Sequence, residues 1–208
     1  AGVPQMSPAS TAILYTRQGF KTTYRVMAND AQQGKALGQA AVKIGKRVAV
    51  VDDRTAYGQG LADEVAKAVV VAGGQVVGRE FTTDKSTDFT AILTSLKAKK
   101  PDVVVYGGMD PQAAPMVRQM KQLGIKATFM GGDGMQSTEF LKLAGNAAEG
   151  VIGSSPGLPL DKMPGGSAFT QKFNARFGKV QIYAPFAYDA ATVLVAAMRK
   201  ADSAEPAK

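Results

Sequence analysis

Two stretches of this chain are apolar without interruption, Val48 to Val51 and Val103 to Tyr106. A strand with one face in water alternates apolar and polar side chains, so an unbroken run marks a strand buried on both faces. Such a strand needs helices above and below it, and the intervening sequence supplies them. Leu37, Ala41 and Ile44 recur on one helical face, and so do Leu61, Val65, Ala68 and Ala72. Strand and helix signals alternate from residue 30 onward, which predicts an α/β fold built on a doubly wound parallel sheet.

The remaining elements follow the same logic. Asp30-Ala-Gln-Gln33 has the form of a capping box, with Asp as N-cap and Gln at the third helical position. Gly45 and Gly73-Gly74 end the first two helices. Val76 to Phe81 reads as a strand, and Thr87 or Asp88 caps a helix carrying Phe89, Ile92 and Leu96. Asp110 caps the next helix, with Pro111 at its first position, where a missing N–H costs nothing. "ATFMGG" and "GVIGSS" are strands on either side of the helix in "STEFLKLAG". Residues 156 to 166, "PGLPLDKMPGG", form a boundary or hinge. Two helices follow, around Phe169 to Phe177 and Pro185 to Ala201. "AGVPQMSPAST" opens with a brief strand and no preceding βα unit, and the sequence stops just past a helix at "ADSAEPAK". Both ends therefore suggest a fragment of a longer α/β protein.

Composition narrows the chemistry. The chain has no Cys and no His, which excludes Cys nucleophiles, His bases, Ser-His-Asp triads and Cys/His metal sites. The net charge is +8, yet Lys and Arg are scattered rather than gathered into the stripe that nucleic-acid binding needs. No apolar stretch approaches membrane-span length and no signal peptide is visible, so the chain is either cytoplasmic or a trimmed mature protein.

The short motifs fail the usual nucleotide tests. Gly58-Gln-Gly60 is followed by Leu61, Ala62 and Asp63, so the third glycine of a dinucleotide fingerprint is missing. Asp52 and Asp53 point to opposite sides of an extended chain, which argues for a bonded turn rather than a metal pair. What remains is the rule that ligands of open α/β sheets bind outside the carboxyl ends of the strands. Three such ends are rich in small or polar residues: Asp52 to Gly58, Tyr106 to Asp110, and Met130 to Gly134. Tyr57 and Met109 offer apolar walls there, and Asp133 a fixed negative charge for a cationic group. Asp110 reads as a helix cap. "SPAST", residues 7 to 11, presents either groups for an ammonium or carboxylate, or a turn that satisfies itself.

These residues resemble the Leu/Ile/Val-binding protein family, the type I periplasmic solute-binding proteins of ABC amino-acid importers. The resemblance rests on "SPAST", "GFKTTYRVMANDAQQG", "DDRTAYGQGLAD", "DVVVYGGMDPQAAPMVRQMKQLG", "FMGGDG" and "AGNAAEG", in that order and spacing. It implies two doubly wound lobes that close on a ligand by a hinge. Residues 1–29 would end the first lobe, 30–155 would make most of the second, and 156–208 would return to the first. Asp30 and Pro156 would mark the hinge. The resemblance implies that Ala9 and Thr11 hold the α-ammonium and α-carboxylate. It implies that Tyr57 closes over the ligand, that Asp133 pairs with the ammonium, and that Tyr183 lines the side-chain pocket. Met109 stands where a branch of the family has an aromatic wall. The opening βαβ units of the first lobe, with a serine-rich loop for the carboxylate, are absent, as are the last strands of the second.

The expected function is capture of an apolar, branched-chain amino acid for a membrane permease, without catalysis, cofactor or metal. The expected location is the periplasm, or an extracytoplasmic surface with a lipid anchor on the complete protein. Nucleic acid is not an expected partner, and the fragment is expected to self-associate. Two other functions stay open: a sensor domain for amides or other small metabolites, and an enzyme with a carboxylate base in the crevice.

Overall fold

The computed structural model describes residues 2–206. The chain divides into two compact units. The larger is continuous, Asp30–Ser155, and the smaller joins the residues up to Asn29 with those from Pro156 on. Asp30 and Pro156 therefore stand where the chain passes from one unit to the other.

The smaller unit begins with β1 (Gln5–Ser7) and β2 (Thr23–Arg25), which pair in parallel. The second of these strands carries no clear pattern in the sequence and was not expected. The larger unit then runs α1 (Asp30–Ile44), β3 (Arg47–Asp52), α2 (Ala56–Val71), β4 (Gln75–Phe81), α3 (Thr90–Ala98), β5 (Val103–Gly107), α4 (Asp110–Gln122), β6 (Thr128–Gly131), α5 (Thr138–Ala144) and β7 (Ile152–Gly153). The chain ends in the smaller unit with α6 (Gly166–Phe177) and α7 (Ala184–Ala201).

The five strands of the larger unit pair in parallel in the order β4-β3-β5-β6-β7. The unbroken apolar runs serve two cores at once, because successive strand residues point to opposite faces. Val48, Val50, Val103, Val105 and Met130 meet Leu37 and Ala41 of α1 and Leu61, Val65 and Val69 of α2 on one face. Ala49, Val51, Val104, Tyr106 and Phe129 meet Leu93 and Leu96 of α3, Met116 and Met120 of α4 and Phe140 of α5 on the other. Small residues set the spacing of α1 against α2. A Cβ on Gly34 would fall on the Glu64 side chain, and one on Gly38 on Ala68.

Several local expectations are corrected. Ile44 is exposed, and Val42 takes its place against the core. The capping-box reading of Asp30 to Gln33 fails, because the Gln33 side chain bonds Asp133 and Ser154 instead. Helix α3 has Phe89 at its N-cap position, and Asp88 accepts the Thr90 N–H at 2.9 Å. Met109, not Asp110, is the N-cap residue of α4.

The smaller unit is built differently. An open groove of about 1290 Å³ is lined by Met163, Phe169, Phe173, Phe177, Phe186 and Tyr188, among others. Phe169, Phe173 and Phe177 sit one turn apart on α6, with ring centroids 5.5 and 5.2 Å from one to the next. No helix is long and apolar enough to cross a membrane among the described residues.

Candidate ligand-binding site

In the sheet of the larger unit the chain starts at β3, moves out to β4, and returns to the other side of β3 at β5. The order is 2-1-3-4-5 in units of the chain, and the switch point lies between β3 and β5. In open α/β sheets the loops at the carboxyl ends of the strands diverge at the switch point, the usual place for a ligand. Tyr57 follows β3 and Met109 follows β5, with Asp133 just beyond β6.

The strand-end aspartates build this edge rather than line it. Asp52 accepts the Arg54 N–H at 2.9 Å and is paired with Arg79, which also reaches Asp63 at 2.8 Å. Asp53 accepts from the Thr55 N–H at 3.0 Å and the Thr55 hydroxyl at 2.6 Å. The Thr55 hydroxyl oxygen then caps α2 by accepting the Gly58 N–H at 3.0 Å. Both aspartates therefore bond turns. Among the described residues no group of three His, Cys, Asp or Glu side chains could hold a metal. Gly58 has a packing reason. A Cβ there would fall on the Asp53 carboxylate and the Gly107 carbonyl, so glycine lets the start of α2 sit directly on β5. Gly60 has open space around it and no such constraint.

Asp133 begins a short 3₁₀ turn, Asp133–Met135. It is only 3 % exposed. Its Oδ1 accepts from the Gln33 side-chain amide at 2.8 Å and from the Tyr57 hydroxyl at 3.1 Å. The Tyr57 oxygen in turn accepts the Gly134 N–H at 3.0 Å. Gln33 accepts from the Ser154 hydroxyl at 2.7 Å. Met109 is 48 % exposed and belongs to the same edge, since a Cβ added to Gly134 would touch both the Met109 sulfur and the Tyr57 ring. The structure thus brings Tyr57, Met109 and Asp133 together around Gly134. Gln33, read in the sequence only as a capping residue, and Ser154 join them. Their partners lie 100 and 121 residues away, and no local pattern records such a contact.

Asp110 lies nearby with a structural task. It accepts from the Ser137 hydroxyl at 2.8 Å, and Ser137 caps α5 by accepting the Phe140 N–H at 2.9 Å. Burial raises the Asp110 carboxyl above the usual aspartate range, opposed by the Ser137 hydrogen bond. Burial also pushes the Tyr106 phenol far above the ordinary tyrosine value, helped by Asp53, Asp52 and Asp84, so it stays protonated in the core.

In the smaller unit "SPAST" is in part a turn that satisfies itself. Ser7 Oγ accepts the N–H groups of Ala9 at 3.2 Å and Ser10 at 2.8 Å. The Ala9 N–H is therefore engaged locally, and Arg25 holds the carbonyls of Ser10 and Ala12, each at 2.9 Å. Thr11 is buried, and its hydroxyl has no hydrogen-bond partner among the described residues. Tyr183 stands at the N-cap position of α7, where its carbonyl accepts the Ala187 N–H at 2.9 Å.

A doubly wound parallel sheet with polar side chains gathered at its carboxyl edge is a frame typical of α/β ligand-binding proteins. Over residues 1–208 the chain matches the periplasmic binding protein family, and it belongs to that family. It is 35 % identical over 207 residues to the Leu/Ile/Val-binding protein homolog 1 of Brucella melitensis, covering 99 % of this chain and 56 % of that one. It is 33 % identical over 210 residues to a leucine-, isoleucine-, valine-, threonine- and alanine-binding protein of Pseudomonas aeruginosa, covering 100 % of this chain and 56 % of that one. The chain thus spans little more than half the length of these relatives. Among solved structures, the leucine-binding protein of Thermotoga maritima superposes with a TM-score of 0.91 at 31 % identity, covering 99 % of this chain and 59 % of that one. The branched-chain amino-acid binding protein of Streptococcus pneumoniae, solved with isoleucine, gives 0.81 at 26 % identity over 95 % and 57 % of the two chains. The fold is that of the type I periplasmic binding proteins.

Proposed function

We propose that this chain belongs to a solute receptor that binds an apolar, branched-chain amino acid outside the cytoplasm and delivers it to an ABC permease, without catalysing a reaction. The observation that carries this reading is Asp133. Burying a carboxylate this deeply is costly unless it is hydrogen-bonded or paired. Gln33 and Tyr57 place neutral amide and phenol donors on its Oδ1 and so orient the group. An α-ammonium is the natural complement, and relatives named for leucine, isoleucine and valine binding support the choice. Tyr57 and Met109 would pack against the apolar part of the ligand. Ala9, Thr11 and Tyr183 are proposed as further ligand contacts on the family resemblance alone. The hinge assignments of Asp30 and Pro156 rest on their places at the unit crossings. Self-association of this chain through its exposed aromatic groove belongs to the same proposal, and a scattering mass of one chain would remove it.

The test is calorimetric titration of the gene-encoded chain with leucine, isoleucine and valine. Asp133→Asn should weaken binding by about 1.5–3 kcal/mol, the range of a charge-assisted hydrogen bond. Asp110→Asn, which alters a bond between two helix starts, should leave affinity in place. Equal affinities for the two variants would remove Asp133 from the site.

A further inference from the structure

We infer that Gln33 and Ser154 are positioning residues that set the direction of the Asp133 carboxylate and so make the site selective for ligands bearing an ammonium group. The inference rests on the amino-acid reading above and assigns the supporting contacts that reading leaves open.

Asp133 needs such support. It stands on a three-residue 3₁₀ turn with Gly131 and Gly132 before it and Gly134 after it. That backbone alone does little to fix a side-chain rotamer, whereas a charged hydrogen bond requires its acceptor at a set angle. Gln33 supplies the constraint from a rigid element, the first turn of the 15-residue α1. It is itself 3 % exposed, so its amide has little freedom to turn.

The orientation of that amide is forced. The Ser154 hydroxyl donates to Oε1 at 2.7 Å, and Nε2 donates to Asp133 Oδ1 at 2.8 Å. The reversed amide would point its oxygen at a carboxylate oxygen. Ser154 is held in turn, because its N–H donates to the Gly131 carbonyl at 3.0 Å beside the strand that leads into Asp133. The three groups form one polarised line from hydroxyl to amide to carboxylate, and each bond strengthens the next. Tyr57 closes on the same oxygen at 3.1 Å. Two donors on Oδ1 fix the plane of the carboxylate.

An amide also does what Lys or Arg at this place could not. It orients the carboxylate as a neutral donor, whereas a cation would compete with the ammonium for the same oxygens.

The test uses the gene-encoded chain and two ligands, leucine and isocaproate, which is leucine without its amino group. Gln33→Met keeps the length of the side chain and removes the hydrogen bonds. It should lower leucine affinity about tenfold, the factor expected when one buried polar contact of about 1.4 kcal/mol is lost. Isocaproate affinity should stay where it was. Ser154→Ala should act in the same direction and by less, and it carries the test if Gln33→Met fails to fold. Gln33→Lys should depress leucine binding further than Gln33→Met. Parallel loss of both ligands in the variants would mean a general structural role and would overturn the assignment. So would unchanged leucine affinity while Asp133→Asn is impaired, which leaves the amino-acid reading standing. A wild-type chain that binds no amino acid, or an Asp133→Asn variant that binds leucine normally, would overturn that reading and this assignment with it.

Discussion

The larger unit hides apolar side chains on both faces of a five-stranded sheet and gathers polar groups at one edge of it. The smaller unit does the reverse. Its sheet has two strands of three residues, and its aromatic side chains line an open groove, with Phe177 69 % exposed. The contrast shows what the polar edge of the larger unit rests on. A parallel sheet is stable when helices cover both faces, and only then can the loops beyond its strand ends hold a buried carboxylate at a fixed angle. The network around Asp133 draws its rigidity from α1, α2 and β6, each anchored in one of the two cores. Thr11 and Tyr183 belong to the smaller unit.

The comparison breaks most visibly through core truncation. Leu61→Ala removes a fully buried side chain shared by α2 and the sheet, and should destabilise the larger unit by about 2–5 kcal/mol. Phe177→Ala should cost the smaller unit under about 1 kcal/mol, because its ring is mostly in water. Denaturation combined with amide exchange reports the two units separately. A larger loss for Phe177→Ala would mean that the groove is a real core.

A smaller effect sharpens the reading of the polar edge. Tyr57 presents its ring beside Gly134 and its hydroxyl to Asp133. Tyr57→Ala should raise the leucine dissociation rate on the order of tenfold and change association less, since affinity differences within one site reside mainly in dissociation. Tyr57→Phe keeps the ring and should fall between wild type and Tyr57→Ala in stopped-flow measurements. Identical rates for Phe and Ala would assign the whole effect to the hydroxyl.

The smallest effect concerns Asp110, on the same edge but in a structural bond. Its carboxyl is raised in the folded state, so across the window from the ordinary aspartate value up to that raised value the folded chain holds more protons than the unfolded one. The stability contribution of this group is present below that window and is lost as pH rises through it. Asp110→Asn should flatten this slope in melting curves recorded across the acid range, with little change below it. A steeper slope in the variant would contradict the burial argument.

Much of the frame was legible before any coordinates. The runs Val48 to Val51 and Val103 to Tyr106 announced strands buried on two faces, and the glycine stops and helix faces placed most elements between them. The sheet edge that holds Tyr57, Met109 and Asp133 followed from the rule for strand ends. The readings that failed share a cause. Gln33 matched a capping pattern, Asp110 matched an N-cap, and Ile44 matched a buried helical face, all judged within one turn of chain. Two were overridden by partners far away in sequence, Asp133 and Ser154 for Gln33 and Ser137 for Asp110, and Ile44 lies at the exposed end of its helix.

The sequence by itself determined the class of fold and the layer structure, because periodicity of burial is a local property that repeats every two or 3.6 residues. It also determined which edge could carry a site. Tertiary structure alone decided strand order, with β5 returning beside β3 to open the switch point. It decided which side chains complete the site, for the direction of a buried carboxylate depends on donors that only folding brings within hydrogen-bond distance. Gln33 and Ser154 are near Asp133 because α1 and the end of β7 flank the same strand edge, and no spacing along the chain encodes that meeting.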